Sequence, residues 1–156
     1  MSALPSVVSA TYGPILESKF SMHCPTGTYI TRIFGRVGQM ADAISVECSN
    51  GAILGPYGGS RGGPFEGQLC SSGVSSVLVY YSNNELTGIY PYCIGGASLS
   101  PLGSSAYSQY NATFDCPNNY YLTKIDGSYG GLVSGVSFTC EKLGKISISA
   151  FTILFN

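Results

Sequence analysis

The chain has 156 residues, a formal net charge of −1 and only 10% charged residues. That excludes a nucleic-acid binder, whose affinity rests on many Lys or Arg contacts to phosphate, and no block of like charge marks a tail or an anionic-membrane patch. No apolar run approaches the roughly 18 residues that would span a bilayer, and 21 Gly and 12 Tyr among many Ser, Val, Ile and Thr suit strands and turns rather than helices.

A chain of this length reads as one domain, residues 1–156, with enough residues for a proper core. Met1 to Ala10 lacks a basic start and is only weakly apolar, so no signal peptide is visible, and these residues are expected to lie outside the repeat that follows. Tyr12-Gly13-Pro14 looks like a shortened copy of the later Gly55-Pro56-Tyr57 segment. From Cys24 on, the text repeats. Cys24, Cys70 and Cys116 lie 46 residues apart, and Cys48, Cys93 and Cys140 follow them by 24, 23 and 24 residues. Cys24-Pro25-Thr26-Gly27-Thr28-Tyr29-Ile30-Thr31-Arg32-Ile33 matches Cys116-Pro117-Asn118-Asn119-Tyr120-Tyr121-Leu122-Thr123-Lys124-Ile125. The middle copy is more diverged.

In the first copy, Ile44, Val46 and Cys48 alternate with Ala43, Ser45 and Glu47, which marks a half-buried strand, Ala43 to Cys48. The turn Ser49-Asn50-Gly51 leads to a short strand, Ala52 to Leu54, and then to a glycine loop, Gly55 to Gly63, with two Gly-Gly pairs around Ser60 and Arg61. Each repeat (roughly 20–64, 65–110 and 111–149) reads as a strand, a Cys-led turn, a second strand, a loop and a third strand ending at Cys. The expected fourth strands are Ala52 to Leu54, Ala97 to Leu99 and Lys145 to Ser149. One such sheet cannot bury its apolar face alone, but three facing a common axis can. The expectation is an all-β architecture of three four-stranded antiparallel sheets. The tail Ala150 to Asn156, with Phe151, Ile153 and Phe155 on one face, is expected to add a strand beside the N-terminal segment and close the first sheet.

Six Cys in a Gly-rich, low-charge chain point to an oxidising, secreted or extracellular setting, with a cytosolic protein of six reduced thiols as the alternative. Two disulfide patterns respect the repeat: Cys24–Cys48, Cys70–Cys93 and Cys116–Cys140, or Cys48–Cys70, Cys93–Cys116 and Cys140–Cys24. The first is favoured because each repeat then staples itself. Asn111-Ala112-Thr113 is an N-glycosylation sequon in a secreted chain. Tyr80, Tyr81, Tyr90 and Tyr92 cluster in the second repeat, either as an oligomerisation surface or as decoration of a strand face. His23 beside Cys24 has no second His for a metal set or a catalytic pair, and no Cys-x-x-Cys suggests zinc. No cofactor and no catalytic set are expected.

The candidate site lies in the first repeat. The turn Gly38-Gln39-Met40-Ala41-Asp42 brings a carboxylate, which only accepts hydrogen bonds. The glycine loop holds backbone N–H groups that no Cβ shields. Acceptors beside donors suit the paired hydroxyls of a sugar. Gly38-Gln39-Met40-Ala41-Asp42-Ala43-Ile44 resembles the G-x-x-x-D sugar-binding turn of jacalin-related lectins, and Gly55-Pro56-Tyr57-Gly58-Gly59-Ser60-Arg61-Gly62-Gly63 resembles their GG loop, in the style of the zymogen-granule type. Most of that family places the GG loop before the turn. Here the turn comes first, as in a circular permutation. The three-sheet arrangement is the β-prism I of that family, and the paired cysteines of the three repeats also resemble egg vitelline outer-membrane proteins.

The resemblance implies non-catalytic binding of mannose or a related hexose by Gly38, Gln39, Met40, Asp42, Gly58, Gly59, Ser60 and Arg61. Asp42 would accept from two hydroxyls, and the N–H groups of Gln39, Met40, Gly59 and Ser60 would donate. Asp42 aligns with Thr87 and Ser134, and the glycine loop with Leu102-Gly103-Ser104-Ser105, so one complete site per chain is expected and avidity asks for a homo-oligomer. The alternative is a structural coat protein of the vitelline type without a working sugar site.

Overall fold

The computed structural model describes residues 4–16 and 18–143. The expected tail strand and the expected strand Lys145 to Ser149 lie outside the described residues. Among the described residues there are twelve strands and no helix. They are β1 (Ser6–Val8), β2 (Ser18–His23), β3 (Ile30–Val37), β4 (Ala41–Cys48), β5 (Ile53–Gly58), β6 (Gly63–Phe65), β7 (Val74–Tyr81), β8 (Leu86–Cys93), β9 (Leu102–Gly103), β10 (Tyr110–Asp115), β11 (Tyr121–Tyr129) and β12 (Val133–Glu141). They pair antiparallel into three four-stranded sheets, ordered β1-β12-β11-β2, β10-β7-β8-β9 and β5-β4-β3-β6.

Each sheet is built on one long hairpin, β3–β4, β7–β8 or β11–β12. Its inner face carries the alternating apolar residues read from the sequence. Ile33, Ile44 and Val46 come from the first hairpin, Val77, Val79 and Ile89 from the second, and Ile125, Val136 and Phe138 from the third. All nine are at most 2% exposed and belong to one core cluster. Burying each of the aliphatic side chains contributes about 1.5–3 kcal/mol before entropy is counted. The three faces converge because each must bury its apolar set against another, and the register of each hairpin is fixed because a one-residue slip would turn that set outward.

The disulfides join Cys24–Cys48, Cys70–Cys93 and Cys116–Cys140. This is the within-repeat pattern favoured above. With separations of 24, 23 and 24 residues, each contributes roughly 3 kcal/mol by restricting the unfolded chain. They sit at one end of the prism, and the hairpin loops sit at the other.

Three expectations change. The N-terminal segment expected to lie outside the repeat joins it in its described part: β1 pairs with β12, and Tyr12 bridges Val136. The N-terminal segment therefore supplies both outer strands of the third repeat's sheet. The reason is a vacant edge on the β11–β12 hairpin, whose backbone groups need partners. Tyr12-Gly13 is the positional equivalent of Tyr57-Gly58, because Tyr57 pairs with Ile44 as Tyr12 bridges Val136. In the second repeat, Ala97 to Leu99 makes only a bridge from Ser98 to Tyr92, and β9 takes the edge of β8 instead. In the first repeat the fourth strand runs on through Gly58, so much of the expected glycine loop is strand, and the loop proper is 59–62.

His23 is exposed, and its Nε2 lies 2.9 Å from Glu141 Oε1. Glu141 also accepts from the Thr123 hydroxyl. Tyr80 and Tyr90 meet edge to face on the outside of the second sheet, whereas Tyr81 turns inward onto Tyr12.

Candidate carbohydrate site

The loop between β3 and β4 and the loop between β5 and β6 lie at the same end of the third-listed sheet, because β4 pairs with both β3 and β5 and β3 pairs with β6. No permutation is needed to bring turn and glycine loop together. A turn-first order follows from taking both loops from one repeat.

Asp42 stands in β4 and is only 5% exposed. Its carboxylate lies against the backbone of two glycines. A Cβ at Gly38 would come 3.3 Å from Asp42 Oδ2, and a Cβ at Gly62 would overlap that oxygen. Gly62 has φ +71°, which an L side chain rarely adopts. Gly62 was not among the residues read from the sequence as the site, although its place in a Gly-Gly pair is the signal that marks it. Among the described residues, none of the side-chain hydrogen bonds or ion pairs involves the Asp42 carboxylate. The one buried side-chain polar atom lacking a partner among those residues is Thr87 Oγ1. The Asp42 oxygens therefore reach solvent, while the rest of the residue is enclosed.

Arg36 fixes the opposite wall. Its Nε donates to the Arg61 carbonyl at 3.1 Å, and a terminal guanidinium nitrogen donates to the Gly62 carbonyl at 2.7 Å. These bonds hold the loop backbone over Asp42. No short motif announces Arg36. It becomes visible only once β3 and β6 are paired, with Arg36 opposite Pro64.

Gly38, Gln39, Ser60 and Arg61 are exposed and Met40 is half-buried, so the tips of both loops face solvent. The Gln39 carbonyl accepts from the Ser104 hydroxyl at 3.0 Å, which ties the turn to the neighbouring sheet. Two expected roles are corrected. The Gly59 N–H donates to the Asp42 carbonyl at 2.8 Å and is not available to a ligand. Gly58 is a strand residue opposite Ala43, with φ +134°. A Cβ there would overlap the Asp42 carbonyl and come 2.7 Å from Ala43 Cα, so its glycine serves strand pairing. Gly59 packs on Gly131 of the β11–β12 loop, where a Cβ would overlap the Gly131 carbonyl. Beside this contact lies an open cleft of about 480 Å³ lined by Gly59, Ser60, Arg61, Gly131 and Leu132.

The equivalent positions in the other repeats differ in kind. Gly103 meets the Thr87 carbonyl and Gly13 the Ser134 carbonyl, as Gly58 meets that of Asp42, so the three residues superpose in register. Thr87 is fully buried with an orphaned hydroxyl. Ser134 is 2% exposed and shares a 2.7 Å hydrogen bond with Ser128. Ser128 in turn donates to the Pro14 carbonyl and accepts from the Leu16 N–H, which closes that position with the N-terminal segment. Of the three positions, only Asp42 carries a carboxylate, and none of the side-chain hydrogen bonds or ion pairs among the described residues engages it.

No family model matches the sequence, and no curated protein matches it. Solved structures do. The chain is similar to the Malaysian banana lectin (TM-score 0.67, 16% identity, covering 87% of this chain and 98% of that one). It is also similar to AcmJRL, a mannose-binding jacalin-related lectin from Ananas comosus (TM-score 0.69, 15% identity, 87% and 97%). The fold is the β-prism of the jacalin-related lectins. A third similar structure is the second β-prism domain of RbmC from V. cholerae bound to N-acetylglucosaminyl-β-1,2-mannose (TM-score 0.62, 21% identity, 85% and 98%). The prism fold places hairpin loops together at one end of each sheet, which is where Asp42 lies.

Proposed function

We propose that this β-prism binds carbohydrate without catalysis, at the end of the sheet that carries Asp42. The observation that carries the reading is the contrast among three equivalent positions: a carboxylate without a side-chain partner at Asp42, a sealed hydroxyl at Thr87 and a bonded one at Ser134. Asp42 accepts hydrogen bonds from two adjacent hydroxyls of a hexose, with mannose or a close relative as the favoured ligand. The N–H groups of Gln39, Met40 and Ser60 donate, and Arg61 extends the contact toward a second or anionic sugar along the 480 Å³ cleft. Gly59 and Gly58 shape the site rather than touch the sugar. The likeness to lectins that bind mannose supports this ligand class.

The three disulfides support an oxidising, extracellular home. In that setting Asn111 is a reachable glycosylation site, since it is exposed on β10, an edge strand. A shallow polar site binds weakly, so avidity comes from several linked sites, such as those of a homo-oligomer.

A glycan array followed by calorimetry tests the reading. Asp42→Asn keeps shape but sets a donor amide against hydroxyl donors. Hydrogen bonds to charged groups contribute about 1.5–3 kcal/mol, so affinity falls at least tenfold. Undiminished binding by Asp42→Asn refutes the assignment of Asp42, and no glycan bound by the parent chain returns the prism to a structural coat role.

A further inference from the structure

The disulfide end of the prism carries a second concavity, of about 380 Å³, between the Cys116-led turn and the start of β7. Its polar lining includes Ser75, Ser76, Asp115, Asn118 and Asn119, with Tyr120 at its side. Asp115, Asn118 and Asn119 are exposed, and none of the side-chain hydrogen bonds or ion pairs among the described residues involves them. Asn119 stands at φ +69°, and the turn is closed by Tyr120 N–H donating to the Pro117 carbonyl at 3.0 Å. The Cys116 N–H donates to the Ser75 carbonyl at 2.8 Å, which fixes the turn against β7.

The other two repeats build the same junction with different chemistry. The bond from Cys70 N–H to the Thr31 carbonyl and that from Cys24 N–H to the Thr123 carbonyl repeat the Cys116–Ser75 anchor. Immediately before the cysteine, where the third repeat has Asp115, the second has Leu69, an exposed apolar residue, and the first has His23, engaged by Glu141. Where the third repeat has Asn118 and Tyr120, the first has Thr26 and Thr28, and the Thr28 hydroxyl is spent on the Pro25 carbonyl. In the second repeat the stretch from cysteine to strand is shorter, with β7 starting at Val74 after Cys70, against β11 starting at Tyr121 after Cys116. One junction of three therefore gathers a free carboxylate, two amides and an aromatic ring.

The geometry points to a second saccharide-binding site at this junction, on the opposite end of the prism from Asp42, taking a neutral hexose or N-acetylhexosamine unit. Asp115 accepts from adjacent hydroxyls. The amide side chains of Asn118 and Asn119 each donate and accept. Tyr120 offers a ring edge or face to the apolar side of the sugar. Net positive charge is absent from the lining, which disfavours phosphate or sulfate. Two sites at opposite ends make one chain bivalent, so a single molecule bridges two glycans without oligomerising.

The test uses the full chain carrying Asp42→Asn and backbone amide NMR, with mannose, glucose, galactose and N-acetylglucosamine as probes at millimolar concentration. At least one sugar is expected to shift the amides of Ser76, Asn118, Asn119 and Tyr120 to saturation. Adding Asp115→Asn should weaken that titration by roughly tenfold, as loss of a charge-assisted bond does. Asp115 is exposed on an edge strand, so this variant should keep the parent spectrum elsewhere. Absence of saturable shifts at those four amides with all four sugars overturns the second site. Saturation that Asp115→Asn leaves unchanged overturns the assignment of the carboxylate. The parent chain, followed at Asp42 and Gly62, reports separately on the first site.

Discussion

Substituting Gly62 separates the proposed grip of Asp42 from the general stability of the prism. In Gly62→Ala the new Cβ would overlap Asp42 Oδ2 and come 2.5 Å from the Val37 carbonyl oxygen and 2.6 Å from its carbon. The backbone oxygen belongs to β3 and cannot yield cheaply, so the Asp42 side chain must move. Holding an L side chain at φ +71° costs about 1–2 kcal/mol, and the overlap adds about 1–3 kcal/mol. Gly51→Ala is the matched control: its φ is +89°, and a Cβ there meets nothing within 4 Å. It carries the backbone strain alone. At about 2–4 °C per kcal/mol for a domain of this size, Gly51→Ala should lower Tm by about 2–8 °C and Gly62→Ala by more. Calorimetry with the best array glycan should show parent affinity for Gly51→Ala. Gly62→Ala, with its carboxylate displaced, should lose about 10- to 150-fold, the equivalent of about 1.5–3 kcal/mol. Equal affinities of Gly62→Ala and the parent, measured well below both melting transitions, would refute the placement of the carboxylate against Gly62 as the binding geometry.

Arg36→Ala removes both bonds to the Arg61 and Gly62 carbonyls; glycan affinity should fall severalfold with only a small change in Tm, because the freed carbonyls are exposed and turn to water. Thr87→Val keeps shape while deleting the orphaned buried hydroxyl, so a thermal melt should show stabilisation of about 1 kcal/mol or more, with sugar binding unchanged. Ser134→Ala should cost about 1 kcal/mol through loss of the bond to Ser128, and it should leave binding at Asp42 intact. For Glu141, burial raises the pKa, but the Thr123 hydroxyl, the His23 hydrogen bond and the nearby charges of His23 and Lys124 outweigh it and hold the group below its ordinary value of 4.5. A depressed folded-state pKa contributes stability that is present above the unfolded value and lost as pH falls through the folded one. Glu141→Gln should therefore flatten the part of the acid denaturation curve that lies below pH 4.5, as followed by circular dichroism.

Much of this protein is written in short-range pattern. The 46-residue recurrence of cysteines, the alternation in Ala43 to Cys48 and the glycine pairs around Ser60 and Arg61 each depend on neighbours along the chain. From them follow the three hairpins and the placing of a carboxylate beside a glycine loop, while of the two disulfide patterns that respect the repeat the structure has the favoured, within-repeat one. Strand periodicity and loop-forming residues express local sterics, which a sequence displays directly.

The rest was decided by contacts between distant residues. Pairing of β1 with β12 joins residues more than a hundred positions apart, and it made the N-terminal segment part of the third sheet rather than an appendage. The same N-terminal segment, at Pro14, seals Ser134 through Ser128. Arg36 gained its role only when β6 came to lie beside β3, and Gly59 lost its expected one when β5 extended along β4. Backbone hydrogen bonds between strands are satisfied by whichever edge the whole fold makes available, and edge availability is a property of the assembled sheets. The sequence could therefore single out Asp42 as the candidate acceptor, while the closed prism determined which groups around it stay unpaired.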